Sequence, residues 1–354
     1  MIPKPLPLEE ALAALPEPSS LAARDALAAV CGPLDVQTLT PVLGGASGAS
    51  IFRVATGSER YLLRVEGAVG PMFRRNPCRF RGEQVAAEAG IAPRVHHVNA
   101  AAGVMVTQFI DRRPLASFPG GRVALAGAVG ELLRRLQTMS PAIPELIEYP
   151  DFVSGMLGHV RASGLFAPGL LDRHVERLSE LRARAPWDPN TLVSSHNDVT
   201  ARNILFDGER LWLIDWEGAY RNGPRVDLSI ALDSFASGPE QESALLSAWS
   251  GESPPAPERL DAMRAITRLY YACFVFTLSG ADPPSSPDAD LAAPSAPEFV
   301  DLVRAGLVCP GTPRSAHLVG KMLLAAFLND EPAFGLADVM AAGVFGADTG
   351  LDGL

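Results

Sequence analysis

The stretch Ser194–Asp227, SSHNDVTARNILFDGERLWLIDWEGAYRNGPRVD, decides how the rest of this 354-residue chain is read. Two short apolar runs, Asn203–Phe206 and Leu211–Ile214, flank the turn Asp207–Gly208, so the segment predicts a small hairpin. Just ahead of it His196, Asp198 and Asn203 stand in an H-x-D-x-x-x-x-N spacing, and Asp215 closes the second run. The spacing forms a loop in which Asp198 and Asn203 can face one cavity, with Asp215 at the end of a strand. Transfer of a phosphoryl group from ATP requires such a set: a carboxylate beside the acceptor oxygen, and a carboxylate and an amide for Mg²⁺. Singly, the three residues read as a loop cap, a turn residue and a strand-end carboxylate; their order and spacing carry the chemistry. His196 is expected to brace the loop through hydrogen bonds rather than to titrate. A Ser-His-Asp hydrolase is excluded by the absence of a G-x-S-x-G elbow, and zinc by the lack of ligand partners for His96 and His97.

Outward from this island the chain changes character on its two sides. Toward the N-terminus, residues 19–32 predict a helix ending at Gly32. Val36–Pro41, Ile51–Thr56 and Arg60–Glu66 read as strands, Gly82–Ala89 as an alanine-rich helix, and Pro93–Asn99 with Gly103–Ile110 as a hairpin. Beyond Pro114, Gly121–Met139, Leu170–Arg184, Pro257–Leu278, Phe299–Val308 and Ala316–Leu328 show apolar spacings of three and four, hence helices. The expected organisation is a helical extension over 1–34, a small antiparallel-sheet lobe over 35–111, and a larger helical lobe over 112–354. The last carries the catalytic loop 194–217 and a Pro/Ser-rich loop at 279–298.

Composition narrows the partners. Thirty Lys and Arg against forty Asp and Glu leave a net charge of −10, which gives no general hold on nucleic acid or anionic lipid. The four cysteines are scattered without metal or redox spacing, which reads as reduced thiols and a cytoplasmic protein. The most apolar stretch, Leu269–Leu278, is half the length of a membrane span, and residues 1–16 do not read as a secretory signal.

Within the island, HND at 196–198 and LIDWE at 213–217, followed by Asn222, Pro224 and Asp227, resemble the choline/ethanolamine kinase and aminoglycoside phosphotransferase superfamily. They look nearest to bacterial choline kinases. The resemblance extends from about Leu39 to Leu232. It implies a bilobal, protein-kinase-like α+β fold with the active site in the cleft. It also implies Asp198 as catalytic base, Asn203 and Asp215 as Mg²⁺ ligands, and Glu217 facing the acceptor pocket. A carboxylate there, beside Trp216 or Tyr220, would favour a cationic amine; the other readings are a surface ion pair for Glu217 and core packing for Trp216. Asp227 is expected to cap the following helix and to fix the active-site loop.

On the nucleotide side, Leu43–Ser50 (LGGASGAS) lies between two strands where a phosphate-covering loop belongs, with Gly44, Gly45 and Gly48 allowing close approach and Ser47 donating. Arg64, in RYLLRVE, stands where protein kinases carry lysine and can grip phosphate oxygens in a fork. Its partner should be a glutamate on the next helix. Glu83 and Glu88 are candidates, although alignment of AAEAGIAP with the family places Arg79 or Arg81 there. The run Arg74, Arg75, Arg79, Arg81 reads as a solvated basic loop or a phosphate contact. Backbone groups at Gln108 and Phe109 would read the adenine edge, Met105 reads as core, and the aromatic stretch Leu269–Phe276 either lines the acceptor pocket or packs inside. The implied activity is ATP- and Mg²⁺-dependent phosphorylation of a choline- or ethanolamine-like amino alcohol. An aminoglycoside or other sugar acceptor is the alternative, and an inactive nucleotide-binding protein a second.

Overall fold

The computed structural model describes residues 4–32, 38–42, 49–57, 59–67, 79–140, 142–145, 148–184, 186–250, 257–279 and 286–329. In chain order its elements are α1 (Leu8–Ala13), α2 (Glu17–Cys31), β1 (Thr38–Pro41), β2 (Ser50–Ala55), β3 (Arg60–Val65), α3 (Arg79–Glu88), β4 (Val95–Asn99) and β5 (Val104–Gln108). Then come α4 (Gly121–Thr138), α5 (Tyr149–Ala162), α6 (Asp172–Arg184), β6 (Val193–Ser195), β7 (Ile204–Phe206), β8 (Leu211–Leu213) and β9 (Tyr220–Asn222). Helices α7 (Arg225–Phe235), α8 (Pro239–Ser250), α9 (Pro257–Ser279), α10 (Ala296–Arg304) and α11 (Pro313–Leu328) complete the chain. They form two compact units: Met1–Arg113 with Met139–Ile143 and Ile204–Ala219, and the remainder.

The first unit is built on an antiparallel sheet in the order β1-β2-β3-β5-β4. Register pairs Phe52 with Leu63 and Leu63 with Val106, so these side chains share one face. That face carries Val54, Tyr61, Val65 and Val104 as well and forms a single core with Leu12, Ala23, Ala26 and Leu27 of α1 and α2. The expected separate extension over 1–34 is therefore part of this unit, because the sheet needs an apolar cover on that side. Period-2 alternation sends Ile51, Arg53, Leu62, Arg64, Met105 and Thr107 to the opposite face.

The β7–β8 hairpin also belongs to the first unit, a departure from the boundary expected at residue 112. Its ends are stitched there: Leu213 N–H donates to the Ile91 carbonyl at 3.0 Å, and Arg113 N–H to the Phe206 carbonyl at 2.7 Å. Trp216 follows, fully buried, and a Cβ added to Gly82 of α3 would meet its ring at 3.8 Å.

The second unit is helical around the short β6–β9 pair. Its core joins Val153 and Leu157 of α5, Leu178 of α6, Ile230 of α7, Ile266 to Phe276 of α9 and Val319 to Phe327 of α11. Arg264 and Arg268 of α9 close on Asp233 of α7 at 3.0 and 2.7 Å, so that these buried charges are paired. No helix among the described residues is long and apolar enough to cross a membrane.

Candidate active site

Asp198 lies on the loop that leaves β6, and the loop is held from beneath by Asp227. The Asp227 carboxylate accepts the His196 N–H at 2.8 Å and the Asn197 N–H at 2.7 Å. Burial pushes the Asp227 carboxyl up to about 7, against the pull of those two donors toward the anion. Sequence placed Asp227 before its helix as a cap; instead α7 begins at Arg225 with Pro224 at the cap position, and Asp227 sits in the first turn. From there its side chain turns to the loop rather than to its own helix.

Asn197 takes φ 65, a left-handed conformation that asparagine tolerates better than most residues. Its side chain donates to the Tyr220 carbonyl at 3.2 Å and accepts from Asn222 at 2.7 Å. The β6–β9 register, which sets Ser195 opposite Tyr220, makes these contacts possible. His196 is fully buried, with its backbone tied to Asp227.

The loop then closes on itself. Asn203 donates its amide to the Asp198 carbonyl at 2.9 Å and to Asp198 Oδ2 at 2.7 Å. With the Nδ2 of Asn203 turned to Asp198, its Oδ1 takes no part in that contact. The other carboxylate oxygen, Oδ1 of Asp198, accepts from the Tyr271 hydroxyl at 2.6 Å. Tyr271 comes from α9, inside the aromatic stretch that sequence read as pocket or core, and its contact with Asp198 carries no local signal. Beside it, Tyr270 packs on Tyr271 at 5.0 Å, Tyr149 at 5.8 Å, Phe152 at 6.1 Å and Phe274 at 6.1 Å. The Tyr149 hydroxyl is buried without a hydrogen-bond partner among the described residues.

In the first unit a second polar group centres on Arg64. Its guanidinium donates to Glu217 Oε2 at 2.6 Å and lies 3.3 Å from Asp215 Oδ1. Burial opposes the charge, but Asp215, Glu217, Glu83 and Glu66 outweigh it and hold the Arg64 pKa above its ordinary value. The Nε–H of Arg64 is buried without a hydrogen-bond partner among the described residues. Asp215 takes φ 67 at the start of a 3₁₀ turn, and with Asn197 it is one of two non-glycine residues of positive φ among those described. Strain of this kind gathers at functional sites.

The helix carboxylate expected for Arg64 is Glu83. It is buried on α3 and feels the Arg64 charge, whereas Arg81 and Glu88 are exposed. Burial pushes Glu83 up to about 7, with Asp215 adding to the shift and Arg64 opposing it. Glu217 is likewise pushed up to about 7 by burial and by Asp215.

For several residues the structure selects among the readings the sequence offered, and for others it departs from them. Glu217 takes the ion-pair reading, with Arg64 as its partner, but the pair is largely buried rather than at the surface. Trp216 is a core residue whose indole N–H donates to the Leu213 carbonyl at 2.9 Å, which removes it from any acceptor surface. Tyr220 is buried on β9 in the second unit. The Gln108 N–H donates to the Arg94 carbonyl at 2.8 Å and the Phe109 N–H to the Arg60 carbonyl at 3.2 Å, so of the backbone groups expected at the adenine edge these two N–H groups are engaged within the unit. Phe109 instead carries the Arg53 guanidinium 5.1 Å from its ring centre. Gly44, Gly45, Ser47, Gly48, Arg74 and Arg75 lie outside the described residues.

The donor chemistry suits a hard divalent cation. Asp215 offers a carboxylate and Asn203 an amide oxygen, the ligand types Mg²⁺ takes with phosphates. A sheet with a half-buried apolar face and an arginine, joined by chain to a helical unit with a loop-held aspartate, defines a kinase-like phosphotransferase whose acceptor is a hydroxyl. The model of the phosphotransferase enzyme family (APH) matches residues 38–263, and the chain belongs to that family.

Among solved structures, a choline/ethanolamine kinase family protein from Mesorhizobium loti is 24% identical, covers 91% of this chain and 99% of its own, and superposes with a TM-score of 0.63. The choline kinase LicA from Streptococcus pneumoniae is 15% identical over 73% of this chain and 89% of its own, with a TM-score of 0.58. A spectinomycin phosphotransferase, APH(9)-Ia, in complex with ADP and spectinomycin is 15% identical over 75% and 88%, with a TM-score of 0.54. These likenesses establish the α+β kinase-like fold. A comparison with curated proteins returns no significant match.

Proposed function

We propose that the protein is an ATP- and Mg²⁺-dependent kinase that transfers the γ-phosphoryl group to the hydroxyl of a choline- or ethanolamine-like amino alcohol. The observation that carries the reading is the Asp198 carboxylate, half-buried and held through both oxygens by Asn203 and Tyr271. A carboxylate so fixed is suited to accept the proton of an attacking hydroxyl. Asn203 and Asp215 would hold Mg²⁺, which neutralises charge on the phosphates. Arg64, with a buried N–H to spare, would bind phosphate oxygens, and Glu217 holds its guanidinium in place. The backbone of Ile110, next after the two occupied donors, would read the adenine edge above a face carrying Ile51 and Leu62.

The aromatic group around Tyr270 supports the amino alcohol. Its faces favour a small cation, and the unpartnered Tyr149 hydroxyl offers one polar contact. A polycationic sugar would instead call for several carboxylates. The structural neighbours include both a choline kinase and an antibiotic kinase, so the acceptor is the point to test. Phosphorylation of choline, ethanolamine and a panel of aminoglycosides should be followed by ADP release in MgATP. Turnover with choline or ethanolamine is expected. Turnover with aminoglycosides alone refutes the acceptor. Thermal stabilisation by MgATP without ADP release from any alcohol refutes the enzyme reading in favour of a nucleotide binder.

A further inference from the structure

Two of the side-chain hydrogen bonds at Asp198 differ in origin. Asn203 belongs to the same loop, five residues on, and moves with it. Tyr271 lies 73 residues away on α9, whose neighbouring side chains Ala272, Cys273, Val275 and Phe276 are completely buried in the core. The phenol is thus carried by a helix whose adjoining side chains are locked in the core of the second unit. Tyr270, edge-on at 5.0 Å, limits its rotation.

We propose that Tyr271 is the positioning residue of Asp198: its hydroxyl pins Oδ1, so that the carboxylate cannot rotate about its terminal torsion and presents a defined lone pair to the acceptor hydroxyl. The inference rests on Asp198 being the base. A carboxylate torsion is broad and two-fold when unrestrained. Asn203 reaches Oδ2 and Tyr271 reaches Oδ1, so the two bonds together oppose that rotation. A carboxylate accepts about four hydrogen bonds, so one bond to each oxygen does not exhaust it. Tyr271 therefore restrains the base without using up its capacity to take a proton. It acts through Asp198, and its loss should lower the rate of the chemical step without weakening nucleotide binding.

The test is Tyr271→Phe, which removes one oxygen and keeps the ring. Removing a hydrogen bond to an ionised group is expected to lower kcat by about tenfold to thirtyfold. The KM for ATP should stay within about twofold, and MgATP should raise the melting temperature as it does in the parent. The coupling is read in a cycle with Asp198→Asn. If Tyr271 works through Asp198, the double variant should turn over no more slowly than Asp198→Asn alone.

Parent-like kcat in Tyr271→Phe overturns the proposal, as does a further full loss in the double variant or a rise in the KM for ATP that accounts for the whole defect. Parent-like turnover in Asp198→Asn has a different meaning: it removes the base assignment itself, and the Tyr271 inference with it.

Discussion

Helices α4 and α8 touch through a glycine, and adding one carbon there tests the packing of the second unit. A Cβ at Gly130 would lie 2.3 Å from the Leu245 carbonyl oxygen, 3.1 Å from its carbon and 3.0 Å from the Ala248 Cβ. The obstacle is backbone, which cannot swing aside, so the two helices must separate by roughly an ångström. Overpacking of this kind costs about 1–3 kcal/mol, and the better helix propensity of alanine returns about 1 kcal/mol. Because the clash is with backbone, the upper part of that range applies, and the net is a loss of up to about 2 kcal/mol, or up to roughly 8 °C in Tm.

Gly127, one turn earlier on α4, is the internal control. Its Cβ would stand 3.9 Å from the Ala244 carbonyl, an ordinary contact. Gly127→Ala should therefore gain up to about 1 kcal/mol from propensity alone. Differential scanning calorimetry of both variants gives the answer in one experiment: Gly130→Ala melts below the parent and Gly127→Ala at or above it. The consequence reaches the site, because Gln137 at the end of α4 donates to the Pro224 carbonyl at 2.8 Å, just before the helix that carries Asp227. A Gly130→Ala protein melting at or above the parent would refute the α4–α8 packing and the steric argument together.

The remaining predictions concern charge. Arg64→Lys keeps the charge and loses the fork that spans Glu217 and Asp215, so the KM for ATP should rise by about tenfold; steady-state kinetics that leave it unchanged would remove Arg64 from the nucleotide site. Glu83 is raised from 4.5 to about 7, so the folded protein holds a proton there that the unfolded chain releases between those values. Its contribution is complete below about pH 4.5 and declines as pH rises toward 7. Tm should accordingly increase on acidification from pH 8 to 5.5, and Glu83→Gln should flatten that rise. Asp288, lowered to about 2 by Lys321 and His317 despite its burial, acts in the opposite sense but only below its ordinary value of 3.8. Asp198→Asn should reduce kcat by about 10²–10⁴-fold while MgATP still raises Tm; retained turnover would exclude it as base.

Much of the first unit was legible because its signals are local. The alternation in Arg60–Val65 and the hairpin at Val95–Gln108 need only period 2 and a turn, and both stand where the pattern put them. Helix α5 was missed because Pro150, Gly155 and Gly158 dilute its apolar spacing, although Val153, Met156, Leu157 and Val160 all face the core. Short α1 and polar α8 were missed for lack of a strong apolar period. In the site, the order of Asp198, Asn203 and Asp215 announced the chemistry, but the neighbours of each did not follow from spacing.

The sequence by itself determined the class of this protein: the order of chemical groups between His196 and Asp215 restricts what reaction such a loop can support, and periodicity sets sheet before helices. Tertiary structure alone decided the partners. It placed Glu217 on Arg64, buried Glu83 rather than Glu88, gave the Asp227 carboxylate to the expected loop and not to its own helix, engaged the amides of Gln108 and Phe109 in the first unit, and brought Tyr271 to Asp198. The physical reason is range. A strand or a turn is set by neighbours a few residues apart, whereas a carboxylate takes whichever donor the packed core delivers, here from a helix 73 residues away.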